Sequence, residues 1–143
     1  TVLKKGWFAK TGVQVWWQQA RSDGYADSTA WVRQSRIAPY ASVEYQKNGW
    51  TTSLQVRKEW LVSGQQAPFT WALGLEKKVN TTHLFRLHTS RNFNLPTFND
   101  LNWRALGNPG LQPEDGISFD AGYEGALPFE NWTVRPALTI YSL

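Results

Sequence analysis

Two histidines, 11 carboxylates and no cysteine are the chain's stock of metal-ligating and nucleophilic side chains apart from its hydroxyls and lysine amines. His83 and His88 lie five residues apart. On an extended strand that spacing points them to opposite faces, so they do not form a metal pair. Without cysteine there is no thiol nucleophile, disulfide framework or cysteine metal site. The His-Glu-x-x-His, Gly-x-Ser-x-Gly and glycine-rich phosphate patterns do not occur. The carboxylates are scattered, so a two-carboxylate hydrolytic site has no support. The expectation is a chain without catalysis, resident metal or cofactor.

Two groups of side chains remain. Arg36, Arg57, Glu59 and Arg91 are charged residues within alternating segments, read as lining a wet interior. Phe98, Asn99, Asp100, Trp103, Arg104 and Asn108 sit in a segment punctuated by Pro96, Pro109 and Pro113, a surface loop able to touch a ligand. Net charge is +4, and no Lys/Arg run is dense enough for nucleic acid.

The elements that carry these residues show a period of two. In "WTTSLQVRKEW", Trp50, Thr52, Leu54, Val56 and Trp60 form one set, interrupted by Lys58. Thr51, Ser53, Gln55, Arg57 and Glu59 form the other, wholly polar set. Similar alternation marks 7–19, 35–45, 69–78, 83–93, 117–127 and 132–143, about seven strands in all. No long helix is indicated. Short connections at 47–49, 79–81 and 128–131 alternate with longer ones at 20–30, 62–67 and 94–113. Pro39 and Pro136 fall inside strand patterns, where each removes a ladder hydrogen bond.

There are 9 tryptophans. Trp7 and Trp17, and likewise Trp50 and Trp60, stand ten residues apart on one face. Ten strand residues span about 34 Å, or about 24 Å of height when tilted by about 45°. The apolar band of an outer-membrane barrel is about 25 Å tall, with aromatic girdles at both rims. No apolar window is long enough for a membrane helix, but barrel strands alternate and escape that criterion. The pattern therefore predicts an all-β chain, an antiparallel transmembrane β-barrel segment. Its greasy face looks at lipid, and Trp7, Trp17, Trp50 and Trp60 form the membrane girdle. Seven strands do not close the usual even-numbered barrel. With Met at 0 and Leu143 last, the chain is expected to be a section of a larger one.

The segment "SRNFNLPTFNDLNWRALGNPGLQPED" narrows the expectation further. Arg91, Phe93, Pro96, Thr97, Asp100 and Leu101 match an Arg-x-Phe-Arg-x-Pro-Thr-x-x-(Asp/Glu)-Leu-Tyr run, with Asn94 and Asn102 as departures. Gly107, Asn108, Pro109, Leu111, Pro113 and Glu114 match the Gly-Asn-Pro-x-Leu-x-Pro-Glu turn that follows it. In this the chain resembles TonB-dependent outer-membrane receptors. "TFNDL" at 97–101 is similar to receptors of the cobalamin and ferric-siderophore groups. The resemblance implies a barrel of 22 strands with a plugged lumen, residues 1–143 being part of the barrel domain without the plug. It implies location in a bacterial outer membrane, contact with its lipid, and import of a siderophore, cobalamin or similar ligand. The energy would come from the TonB complex, acting through the missing plug. The alternatives are a smaller passive porin or adhesin-type barrel and a soluble, aromatic-rich β-sandwich binding module.

Overall fold

The computed structural model of the chain describes residues 2–62, 66–130 and 132–142. In chain order the strands are β1 (Val2–Lys4), β2 (Trp7–Ala20), β3 (Val32–Lys47), β4 (Trp50–Leu61), β5 (Gln66–Lys78), β6 (His83–Asn94), β7 (Glu114–Gly125), β8 (Leu127–Phe129), β9 (Trp132–Val134) and β10 (Ala137–Ser142). One short helix, α1 (Phe98–Asn102), lies between β6 and β7. The main sheet runs β1-β2-β3-β4-β5-β6-β7-β10, every pair antiparallel, while β8 and β9 form a separate ladder. The antiparallel sheet foreseen from the alternation is present, with β1 as an addition.

The length of the strands follows from their alternation. β2 runs 14 residues and β3 runs 16, well beyond the usual five or six. Trp7 faces Tyr45, Val13 faces Pro39, Val15 faces Ile37, and Val43 faces Leu54, which faces Leu73. This apolar face continues through Leu87, Phe119 and Ile140. It is also the exposed one: Val15 is 71% exposed, Trp17 63% and Leu138 62%. On the opposite face Ala38, Glu59, Leu61 and Ser90 are all buried. A water-soluble sheet hides its apolar face and wets its polar one; here the arrangement is inverted. Among the described residues no second sheet covers the apolar face.

Turn chemistry sets one end. Between β3 and β4 the chain reverses through Asn48 (φ 51°) and Gly49 (φ 77°), the Asn-Gly pair that a two-residue hairpin prefers. A Cβ on Gly49 would lie 2.5 Å from the Lys78 carbonyl oxygen, so the position is closed by space as well as by φ. At this end the row Trp50–Lys77–Phe85–Tyr123–Leu138 crosses the sheet. Beyond it no further pair forms on β3–β4 or β4–β5, one more forms on β5–β6, and two more form on β6–β7. This progressive offset is the stagger that tilted strands need to wrap into a barrel.

The prolines resolve differently. Pro39 stays inside β3, facing Val13, and the β3–β4 ladder skips it, resuming at Ile37 and Tyr40. Pro136 instead ends the continuous strand expected at 132–143, which is split into β9 and β10. Of the turn foreseen at 128–131, Pro128 and Phe129 belong instead to β8, Glu130 is a turn residue, and Asn131 lies outside the described residues. The loop foreseen at 62–67 gives way to β5 at Gln66, and residues 63–65 also lie outside the description. A bulge where β4 meets β5 brings the Lys58 ammonium to the Ala67 carbonyl at 2.5 Å, so its charge leaves the apolar face near the rim.

Candidate functional site

At the long-loop end the polar face carries a recess of ≈ 870 Å³. Its wall includes Gln18, Arg36, Arg57 and Glu59 on the sheet, with Asn92 to Phe98 closing one side. Glu59 is central. It stands on β4 where the β3–β4 ladder is interrupted between Ile37 and Tyr40, level with the fully buried Ala38. Two guanidinium groups reach the carboxylate. Arg57 Nη2 donates to Glu59 Oε1 at 2.6 Å, and Arg36 Nη1 stands 3.6 Å from Oε2. Both guanidiniums lie over the Trp16 ring, at 5.4 Å for Arg36 and 4.9 Å for Arg57. Arg36 also donates to Gln18 Oε1 at 3.3 Å.

The cluster holds two cations against one carboxylate, so its net sign is positive. Cation–π contact with Trp16 offsets part of the mutual repulsion of the arginines. Arg36 Nε, Arg57 Nε and Glu59 Oε2 have no hydrogen-bond partner among the described residues. Such groups are costly to leave unmet.

The loop between β6 and β7 is a folded unit. Thr97 caps α1, and its hydroxyl accepts the Asp100 amide at 3.2 Å. The Thr97 amide donates back to Asp100 Oδ2 at 2.8 Å, completing a capping box. That amide, and then the Thr97 hydroxyl, hold the Asp100 carboxyl below its usual value. Asn108 accepts from the Gly110 amide at 2.9 Å, and its own amide donates to the Asp100 carbonyl at 2.8 Å.

This loop is fastened to the one between β2 and β3. Tyr25, 4% exposed, donates its hydroxyl to Asn99 Oδ1 at 3.0 Å. Its ring meets Trp103 edge-on at 6.4 Å. The Ala26 amide donates to the Asn102 carbonyl at 3.0 Å, and the Arg104 amide to the Gly24 carbonyl at 2.9 Å. The Arg104 side chain adds a contact to the Tyr25 carbonyl at 3.4 Å. A Cβ on Gly24 would sit 2.5 Å from the Trp103 ring. The clasp spans β4 and β5, a gap of about 14 Å between β3 and β6.

Phe98 lines the recess, whereas Asn99, Asp100, Trp103, Arg104 and Asn108 bind within the loop or across the clasp. Arg36, Arg57 and Glu59 meet at one point. Arg91 does not join them. β6 runs without a bulge, so Arg91 keeps the face of Phe85 and Leu87, opposite Trp71. There its Nε donates to Asp115 Oδ2 at 2.8 Å. This corrects the expectation that Arg91 lines the wet interior. Trp7, Trp17, Trp50 and Trp60 all lie on the exposed apolar face, the first and third at the short-turn end. His83 and His88 occupy opposite faces, beside Tyr123 and Asp120.

Trp16 and Tyr25 carry much of the site and were not foreseen. Trp16 had a signal, being a tryptophan on the polar set beside Gln14 and Gln18. Tyr25 had none, since a loop has no period.

Residues 4–139 match a family model described as "TonB dependent receptor-like, beta-barrel". The chain is 33% identical, over 118 residues, to the vitamin B12 transporter BtuB of Vibrio vulnificus strain YJ016; this is 78% of the chain and 18% of that protein. The transporter of the same name in V. vulnificus strain CMCP6 is 29% identical over 106 residues, 74% of the chain and 17% of the relative. That of Photobacterium profundum is 29% identical over 65 residues, 46% and 11% respectively. The chain thus spans less than a fifth of the length of the curated relatives it matches.

Proposed function

Since this chain belongs to the TonB-dependent receptor-like β-barrel family, we propose that it is a wall section of an outer-membrane receptor importing a scarce small molecule with TonB energy. The observation that carries this reading is the inversion of the sheet, which exposes Val15, Trp17 and Leu138 and buries Glu59 and Ser90. Only a solvent more apolar than water favours that arrangement. In this reading β2 to β7 and β10 cross the outer membrane, and the rest of the receptor closes the barrel, because lipid tolerates no open edge. The long loops stand on the outer side, where ligand arrives, and the polar face meets the plug. Arg36, Arg57 and Glu59 line that interior, and Phe98 with its loop stands over it. No step of the function is catalytic, and no resident cofactor or metal takes part.

The printed names of the relatives make vitamin B12 the first ligand to test, with siderophores next. The experiment is uptake of labelled vitamin B12 by cells whose only such receptor is the full-length protein. Uptake that collapses when TonB is deleted supports energised import. Uptake that persists without TonB identifies a passive barrel. Absence of vitamin B12 uptake with TonB-dependent uptake of a ferric siderophore would keep the receptor and change its ligand.

A further inference from the structure

The charges of the recess at the long-loop end are spent on one another. Glu59 holds Arg57 and Arg36 together, Gln18 Oε1 accepts a further N–H of Arg36, and both guanidiniums lie over Trp16. The Thr70 hydroxyl is spent as well, donating to the Arg57 carbonyl at 3.3 Å. What stays unspent in the wall is carboxamide. The side chains of Gln34 and Asn94 line the recess and bond to no described residue. Gln18 keeps its amide N–H groups, and Asn92, which donates to Ser90 Oγ at 2.9 Å, keeps its oxygen.

The strands set the spacing of these groups. Gln18 and Gln34 are partners across β2 and β3, while Asn92 and Asn94 lie two apart on one face of β6. β4 and β5 run between, so the two amide pairs flank the recess about 14 Å apart. Its volume of ≈ 870 Å³ is that of a small-molecule site, about 300–1,000 Å³. The segments at this end, 20–36, 57–62 and 91–116, carry 7 Lys/Arg against 6 Asp/Glu. Their fields nearly cancel, so a polyanion gains little by approaching.

We propose that the recess is a ligand subsite for an uncharged small-molecule face bearing carboxamides or hydroxyls, gripped from opposite sides by Gln34 and Asn94. Each carboxamide brings donors and an acceptor together without charge. A ligand face that satisfies them must do the same, whereas a carboxylate or phosphate offers acceptors alone. A charged group would also give up its hydration for neutral partners. The inference names the substrate class of the receptor proposed above and rests on that reading.

The test uses purified full-length receptor and equilibrium dialysis against three probes: vitamin B12 for carboxamide, maltotriose for hydroxyl and ferric citrate for polyanion. One neutral probe should bind, with an affinity unchanged between 50 mM and 500 mM salt, about a tenfold range that would screen a charge-driven contact. Which of the two binds tells carboxamide from hydroxyl. Gln34→Leu and Asn94→Leu should each weaken it by roughly 3- to 10-fold, and Gln55→Leu, on the same face outside the recess, should not. Ferric citrate binding alone, or no probe binding while TonB-dependent uptake of another ligand persists, would overturn the neutral class and leave the receptor. A neutral probe whose affinity ignores both recess variants would overturn the subsite. No binding together with no TonB-dependent uptake would remove the receptor reading and the subsite with it.

Discussion

At the scale of single residues, Glu59 is the side chain whose loss should be felt most. Its side chain is 7% exposed and holds Arg36 and Arg57 together. Glu59→Ala leaves two guanidiniums facing each other with no counter-charge, a change worth about 3–5 kcal/mol for a buried pair. Glu59→Gln keeps an acceptor and should fall between. The temperature at which the folded receptor loses its fast electrophoretic mobility reads this, and an unchanged value for Glu59→Ala would deny the cluster any structural weight. Asp100 gives a pH dependence. Its folded value is depressed by the Thr97 amide and hydroxyl, so the stability it lends the loop is complete above the ordinary value of about 4 and disappears as pH falls through the lower one. Exchange protection of the Thr97 amide, corrected for intrinsic rate, should hold at pH 5 and fade only below about pH 4. Asp100→Asn should remove that dependence while leaving the Asp27 turn, another depressed carboxylate, to titrate as before. The sequence disclosed these residues unevenly. Thr97 with Asp100 three positions on is a readable capping signal, but Arg91 was placed on the wrong face because its role was inferred from charge rather than from position. Counting in twos from Phe85 places it correctly.

At the scale of elements, the clasp between the 21–31 and 95–113 loops makes one body of two. Trp103→Ala removes the ring that covers Gly24 and meets Tyr25, so both loops should loosen together. Limited proteolysis of assembled receptor should then cut in both. Cutting confined to 95–113 would show that the loops are independent. Tyr25→Phe deletes only the hydroxyl bond to Asn99, about 1 kcal/mol, and should act in the same direction more weakly. None of this pairing was visible beforehand. The strands declared themselves by alternation and their turns by Asn-Gly chemistry, but loop-to-loop contacts between residues over seventy positions apart follow no local rule. Pro136 shows the same limit. Its missing N–H was noted, but the split into β9 and β10, with the Gly125 amide still reaching the Pro136 carbonyl, was not.

For the whole molecule, what matters is which face meets which solvent. Val56 lies on the apolar face and Gln55, its neighbour, on the polar one. An arginine at 56 should impair assembly into a bilayer by about 2–4 kcal/mol, while Gln55→Arg should be tolerated. Equal yields of assembled receptor from the two variants would contradict the faces. This level was the most legible in the sequence, since burial of one face repeats every two residues through the long strands and does not depend on any one of them.

The clasp has one consequence for how such a wall is built. Tyr25 and Arg104 are separated by 79 positions, and between them lie three strand pairings that are each local to a hairpin. A contact that closes so long a stretch gains little until those hairpins have zipped. The clasp is therefore a late event in assembly. Weakening it should leave the early rates of strand pairing untouched and lengthen the final phase alone.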